Sequence, residues 1–191
     1  MYRALVIEAA EALFADRGVD DARMEAVATE AGLSLGTLYS VFEGKAEIVR
    51  AIHETRLQEV LRRAIDSARG LHDPLAMLLM GVRTYVGFFL EHPNYLRMHL
   101  REGYSWAGAA ATAASPKQAD AWRQGVAMQA ALFTRGVDEG VFYPGDSMVH
   151  TKMMIAMQQV QLADWVERGM TGDPDELLSE IEEQVRRSFC P

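Results

Sequence analysis

Apolar residues recur at spacings of three and four along almost the whole chain, and no strand-like alternation runs for more than a few positions. Leu5, Ala9, Ala10, Leu13 and Phe14 make one apolar face of a first helix. It stops at Gly18, a left-handed residue past the helix end, with apolar Val19 beside it. A second helix is predicted over about 23–31, with Met24, Val27 and Ala28 inward and Asp21 as N-cap. Gly32 breaks it. Ser34 caps a short third helix that ends near Phe42, and after Gly44 a long helix covers about 45–68. Asp73-Pro74 opens the next helix and His92-Pro93 ends it. A short helix follows over about 95–102, then a Gly-, Ala- and Ser-rich stretch from Gly103 to Ser115 is expected to be a mobile loop. Ser115-Pro116 starts a helix that ends near Gly140, and another runs over about 147–168. Asp173-Pro174-x-Glu176 starts the last helix, which reaches about Ser188. The expected class is all-α, with about nine helices: a three-helix N-terminal domain and a helical bundle behind it.

Composition narrows this picture. At 191 residues, with 49% apolar and 24% charged positions, the chain is ordinary globular material with enough bulk for its own core. Its single cysteine, Cys190, excludes an internal disulfide and any Cys-based metal cluster. No histidine pair has metalloprotease spacing; His99 and Glu102 share a helix face, which alone does not make a site. No metal and no cofactor is expected. The N-terminus lacks a secretory pattern, and the apolar run Leu75–Leu90 is interrupted by Arg83 and Thr84. That run is shorter than the roughly 20 residues of a bilayer span, so a buried core helix and a cytoplasmic protein with no membrane partner are expected. Net charge is -8, which by itself argues against nucleic acid.

The stretch 23–45, RMEAVATEAGLSLGTLYSVFEGK, argues the other way. Two short helices flank a Gly-containing turn, the arrangement of a helix-turn-helix, whose second helix enters the DNA major groove. Val27, Ala28 and Ala31 are small enough for close crossing, and Leu33, Leu38 and Phe42 anchor the second helix. Leu35, Gly36, Thr37, Tyr39 and Ser40 are left on the open side, behind the capping Ser34. Lys45 stands at a helix N-terminus, where free N–H groups favour phosphate, and Arg23 can reach a second phosphate.

AGLSLGTLYSVFEGK resembles the DNA-binding signature of the TetR/AcrR family of transcriptional regulators, and Glu8–Phe14 with Gly18 resembles the helix ahead of it. The resemblance covers about residues 5–50. Ala22 and Arg23 stand where the family often has Thr or Ser, Val41 stands where it commonly has His, and the chain begins almost at the first helix, without the basic arm of many members. The resemblance implies a DNA-binding domain over 1–45 and an effector-binding and dimerisation domain over 46–191, with helix 45–68 as connector. It implies a homodimer on a near-palindromic duplex operator, acting as a repressor and released by a small molecule that binds one of two conformations better. It also implies that the last two helices pair with their copies in a four-helix bundle. Ile155, Gln159, Leu162 and Val166 line one side for this, and Leu177, Leu178, Ile181 and Val185 the other.

Eleven methionines and several aromatics exceed what a face-to-face core needs. Met77, Met80, Phe88, Phe89, Met98, Trp122, Met128, Phe133, Met157 and Trp165 are the candidate apolar lining of an effector pocket. Arg83, Tyr85, Tyr95, His99 and Gln158 are its candidate polar groups, with Arg83 meeting an acid. A largely hydrophobic ligand follows. Three other readings compete. Gly32-Leu33-Ser34-Leu35-Gly36 fits G-x-S-x-G, which would make Ser34 a hydrolase nucleophile, but that elbow needs a strand before it and a helix precedes it here. The others are a constitutive DNA binder without an effector and a helical interaction protein without DNA.

Overall fold

The computed structural model describes residues 1–101 and 116–191; the predicted loop Gly103–Ser115, and Glu102 before it, lie outside the described residues. Among the described residues there are nine helices and no strand: α1 (Tyr2–Arg17), α2 (Met24–Glu30), α3 (Leu35–Tyr39), α4 (Lys45–Ser67), α5 (Pro74–Glu91), α6 (Pro93–Arg101), α7 (Pro116–Asp138), α8 (Ser147–Glu167) and α9 (Pro174–Phe189).

Several boundaries follow from local chemistry. Ser34 Oγ accepts the Thr37 N–H at 3.1 Å, and Asp73 Oδ2 accepts the Ala76 N–H at 2.7 Å, so α3 and α5 start on side-chain caps. Asp146 and Asp173 cap α8 and α9 in the same way. The expected Asp21 cap on α2 is corrected. The chain leaves α1 through Gly18 at φ +86° and reaches its helical turn only after Arg23, which is the N-cap and has no side-chain bond. Asp21 is thus two residues outside the helix.

The chain divides into two compact units. The first holds Met1–Glu59 and the described residues of the stretch His92–Gly103; α1 packs on α2 and α6, and α2 on α3. Val6, Ala10, Phe14, Val27, Leu38, Phe42, Ile48 and Ile52 are buried there. The second holds Val60–Glu91 and the described residues from Pro116 onward. In it α7 lies along α8, and α5 meets α7, α8 and α9. Helix α5 has the length and apolar composition of a membrane span, yet Leu78, Val82, Val86, Phe88 and Phe89 are buried. One end of this unit is closed by the rings of Phe133, Phe142, Phe189 and His150, whose centroids lie 5.1–5.5 Å apart in the contacts of Phe133 with the other three. Phe142 packs so tightly on Gly136 that a Cβ there would collide with the ring.

Candidate nucleic-acid interface

The recognition helix α3 is fixed from beneath and open above. Leu38 and Phe42 are fully buried against the α2 side, where Val27 and Ala28 leave room for them. Because α3 has little over one turn, its position depends on those anchors and on the Ser34 cap rather than on helix propensity. Tyr39 is 49% exposed, Ser40 and Gly36 are exposed, and Leu35 and Thr37 are half-buried. A Cβ at Gly36 would meet only Ser34 Oγ, at 3.9 Å, so the protein's own packing does not demand glycine there. Close approach of another molecule does explain it. The hydroxyls are pre-set by local bonds: Ser34 Oγ lies 2.8 Å from Thr37 Oγ1, and Ser40 Oγ donates to the Thr37 carbonyl at 2.7 Å.

The cations are arranged differently from expectation. Lys45 is not a free phosphate arm: its Nζ donates to the Val19 and Asp20 carbonyls at 2.7 and 2.8 Å, which ties the α1–α2 connection to the start of α4. One N–H of the ammonium remains for a phosphate. Sequence reasoning missed Arg3. Its guanidinium sits 4.4 Å over the Phe42 ring, 3.7 Å from Glu47, with the side chain half exposed. It therefore places a positive charge beside the end of α3, where no basic arm was expected. The only signal in the sequence is a lone cation in the first turn of an otherwise apolar face. Arg23 is exposed at the N-cap of α2, as a phosphate contact requires.

Ser34 has no catalytic company. Its hydroxyl partners are the Thr37 backbone and side chain, and a helix precedes it where a nucleophile elbow needs a strand. Among the described residues no group of three His, Cys, Asp or Glu converges as a metal site.

The proposed effector-lining residues fall in both units. Tyr95, Met98 and His99 belong to the first unit. Tyr95 Oη is 3.1 Å from His53 Nδ1, and His99 lies beside the Tyr95 ring. Burial, and secondarily the nearby His53, push the His99 imidazole down to about 3. Met128 is 73% exposed and is corrected from lining to surface. Phe133 belongs to the aromatic plug described above. Arg83 is not an interior anchor: its side chain is 55% exposed and its guanidinium holds the nearly buried carboxylate of Glu182. What remains inside the second unit is Met77, Met80, Trp122 and Met157, all half-buried, with Tyr85, Phe88, Phe89, Gln158 and Trp165. Desolvation of its hydroxyl pushes the Tyr85 phenol up to about 12, with a Gln159 hydrogen bond pulling the other way. Gln158 Oε1 and Trp165 Nε1 are buried and have no hydrogen-bond partner among the described residues.

The residues expected at the dimer interface differ in exposure. Ile155, Leu162, Leu177, Ile181 and Val185 are buried within a single chain, while Gln159, Val166 and Leu178 are half-buried. The five buried ones belong to the core of their own chain. Sequence reasoning missed Val149, Met153 and Val160, which are 50%, 52% and 67% exposed. At spacings of four and seven they form a stripe on the side of α8 opposite Met154, Gln158 and Trp165.

Residues 6–52 match the family described as bacterial regulatory proteins, tetR family. Over 80 residues the chain is 41% identical to the Probable HTH-type transcriptional regulator ArpR of Pseudomonas putida; the match spans 40% of this chain and 37% of that curated relative's length. The fold is similar to that of the ketosteroid transcriptional regulator KstR2 of Mycobacterium tuberculosis, with a TM-score of 0.85 at 21% identity, over 100% of this chain and 96% of that one. It is also similar to the fatty acid degradation regulator FadR of Bacillus halodurans, with a TM-score of 0.77 at 16% identity, over 96% and 93% of the two chains. A helix-turn-helix unit followed by a helical unit defines the class. Residues 6–52 are a helix-turn-helix segment of the tetR-family kind, and the fold of the described residues is similar to that of solved transcriptional regulators of this type.

Proposed function

We propose that the chain binds a near-palindromic duplex operator as a homodimer, represses from it, and is released by a small, largely hydrophobic ligand. Residues 1–45 carry the DNA contacts, and 46–191 carry the effector and dimer functions. The observation that carries this reading is the open face of α3, with Leu35, Gly36, Thr37, Tyr39 and Ser40 on an anchored helix, Arg3 beside its end, and Arg23 exposed at the N-cap of α2. In that arrangement Leu35, Thr37 and Ser40 meet base edges, and Tyr39, Arg3, Arg23 and the spare N–H of Lys45 meet phosphates. With so few cations in a chain of net charge -8, affinity per protomer is moderate and falls with salt.

The effector reading is supported by the second unit. An unpaired buried donor and acceptor, Trp165 Nε1 and Gln158 Oε1, each cost about 1–3 kcal/mol, and a ligand bearing both a hydroxyl and a carbonyl satisfies them. Half-buried methionines beside them adapt to its shape. The exposed Val149–Met153–Val160 stripe supports the homodimer, because α8 is apolar on two opposite sides and a helix of that kind is normally covered on both. A cytoplasmic location goes with this function.

Genomic fragment selection followed by footprinting at low salt tests the proposal. A discrete protected site with two-fold symmetry is the expected result; uniform protection of every fragment overturns it.

A further inference from the structure

The second unit has an open groove of about 480 Å³ between the C-terminal part of α4 and the outer side of α5. Arg62, Arg63 and Ser67 line it from α4, and Arg83, Thr84 and Phe88 from α5. Asp66 and Glu91 also line it, and with Glu182, which pairs with Arg83, each of the three arginines has a carboxylate partner. Each arginine is held differently. Arg63 is placed by Glu91 at 2.7 Å and lies 5.6 Å from the Phe88 ring. Arg83 neutralises the nearly buried Glu182 while more than half of its own side chain stays exposed. Arg62 meets Asp66 only at 3.6 Å, both side chains are exposed, and Asp66 is shared with Arg69 at 3.2 Å. A solvent-exposed pair of that kind contributes little, so Arg62 exchanges partners readily.

The rest of the groove suits the other half of an amphipathic ligand. Ser67 Oγ and Thr84 Oγ1 lie 3.0 Å apart at its wall and can turn toward an oxyanion. Gly87 also lines the groove, and a Cβ there would meet nothing within 4 Å, so the wall next to Phe88 is open. Guanidinium forks match the planar edge of a carboxylate or phosphate, and the volume is that of a small-molecule site.

We propose that this groove binds a small amphipathic oxyanion, with its acid group among the guanidiniums of Arg62, Arg63 and Arg83 and its apolar body along the wall at Thr84 and Gly87. The site differs from the interior one carrying Gln158 and Trp165. It rests on the effector reading only for any consequence at DNA.

Titration calorimetry on the full chain tests it with 1-naphthoate, 1-naphthyl phosphate and 1-naphthol. Both acids are expected to bind about tenfold or more tighter than the neutral alcohol, and the order of the two acids tells carboxylate from phosphate. Arg62→Glu, at an exposed position that leaves the melting temperature unchanged, is expected to lose about tenfold or more for the acids and nothing for naphthol. Equal affinities for acid and alcohol, or acid binding indifferent to Arg62→Glu, overturn the proposal. DNA retention is read separately on a footprinted fragment: acids that bind through Arg62 without releasing DNA overturn an effector role for this groove and leave the site standing.

Discussion

Arg56 of α4 holds Glu11 of α1 in a two-point fork, Nε to Oε2 at 2.8 Å and Nη2 to Oε1 at 3.1 Å, with side-chain exposures of 14% and 7%. Its remaining nitrogen reaches Glu59 at 3.0 Å. Burial opposes the charge on Arg56, but the bonds and charges of the two carboxylates outweigh it, and the guanidinium pKa is raised. Removing one partner strands a carboxylate in the core of the first unit. Arg56→Ala should therefore cost about 3–5 kcal/mol in urea unfolding, and Glu11→Leu combined with Arg56→Met should recover most of it. An Arg56→Ala protein as stable as the parent would mean that Glu11 is solvated after all.

Arg3 and Lys45 separate DNA contact from scaffold. Arg3→Ala should weaken every DNA sequence alike and lower the salt slope by about 0.9, because one phosphate is no longer neutralised, with the melting temperature nearly unchanged. Lys45→Ala removes two charge-assisted bonds to the α1–α2 connection and should lower the melting temperature as well. Filter binding over a salt series, beside thermal melting, checks both. An unchanged slope in Arg3→Ala would return the phosphate contact to Lys45.

His99 should make the first unit acid-sensitive. Its pKa is lowered to about 3 in the folded chain, by burial first and His53 second, against about 6.5 when unfolded. The unfolded state thus binds the proton more readily, and the contribution is fully present above the unfolded pKa and lost as pH falls toward 3. Between pH 7 and pH 5 the loss from this group is about 2 kcal/mol. Denaturant unfolding at several pH values should show that slope in the parent and a flatter one in His99→Gln. Parallel slopes would assign the acid sensitivity to other groups.

The helices and the recognition motif were legible in the sequence because their signals are local. Pro74, Pro174, Ser34 and the glycines punctuate the chain, and the spacing of Val27, Leu38 and Phe42 fixes how α2 and α3 meet. The tertiary partners of charged and apolar faces were not legible. Nothing near Lys45 in sequence points to the Val19 and Asp20 carbonyls, and nothing near Arg83 points to Glu182, 99 residues away. Asp21 looked like a cap because its type suits one, but the backbone after Gly18 delays the helix to Met24. The apolar rows on α8 and α9 were read as free for a partner, although α9 has one apolar face and spends it inside its own chain on Leu177, Ile181, Val185 and Phe189.

That last point decides where a partner sits. Val160 is 67% exposed and Ile181 is fully buried in a single chain. A charge at Ile181 enters the protomer's own core, so Ile181→Asp should unfold the chain rather than merely dissociate it. A charge at Val160 is harmless to a monomer but desolvated and unpaired in a dimer that uses the Val149–Met153–Val160 stripe. Val160→Asp should keep its helical circular dichroism, become monomeric by light scattering, and lose operator affinity because a monomer holds one half-site. A Val160→Asp protein that remains dimeric and bound to DNA would move the interface off this face of α8, and one that unfolds would show that the stripe supports the protomer itself.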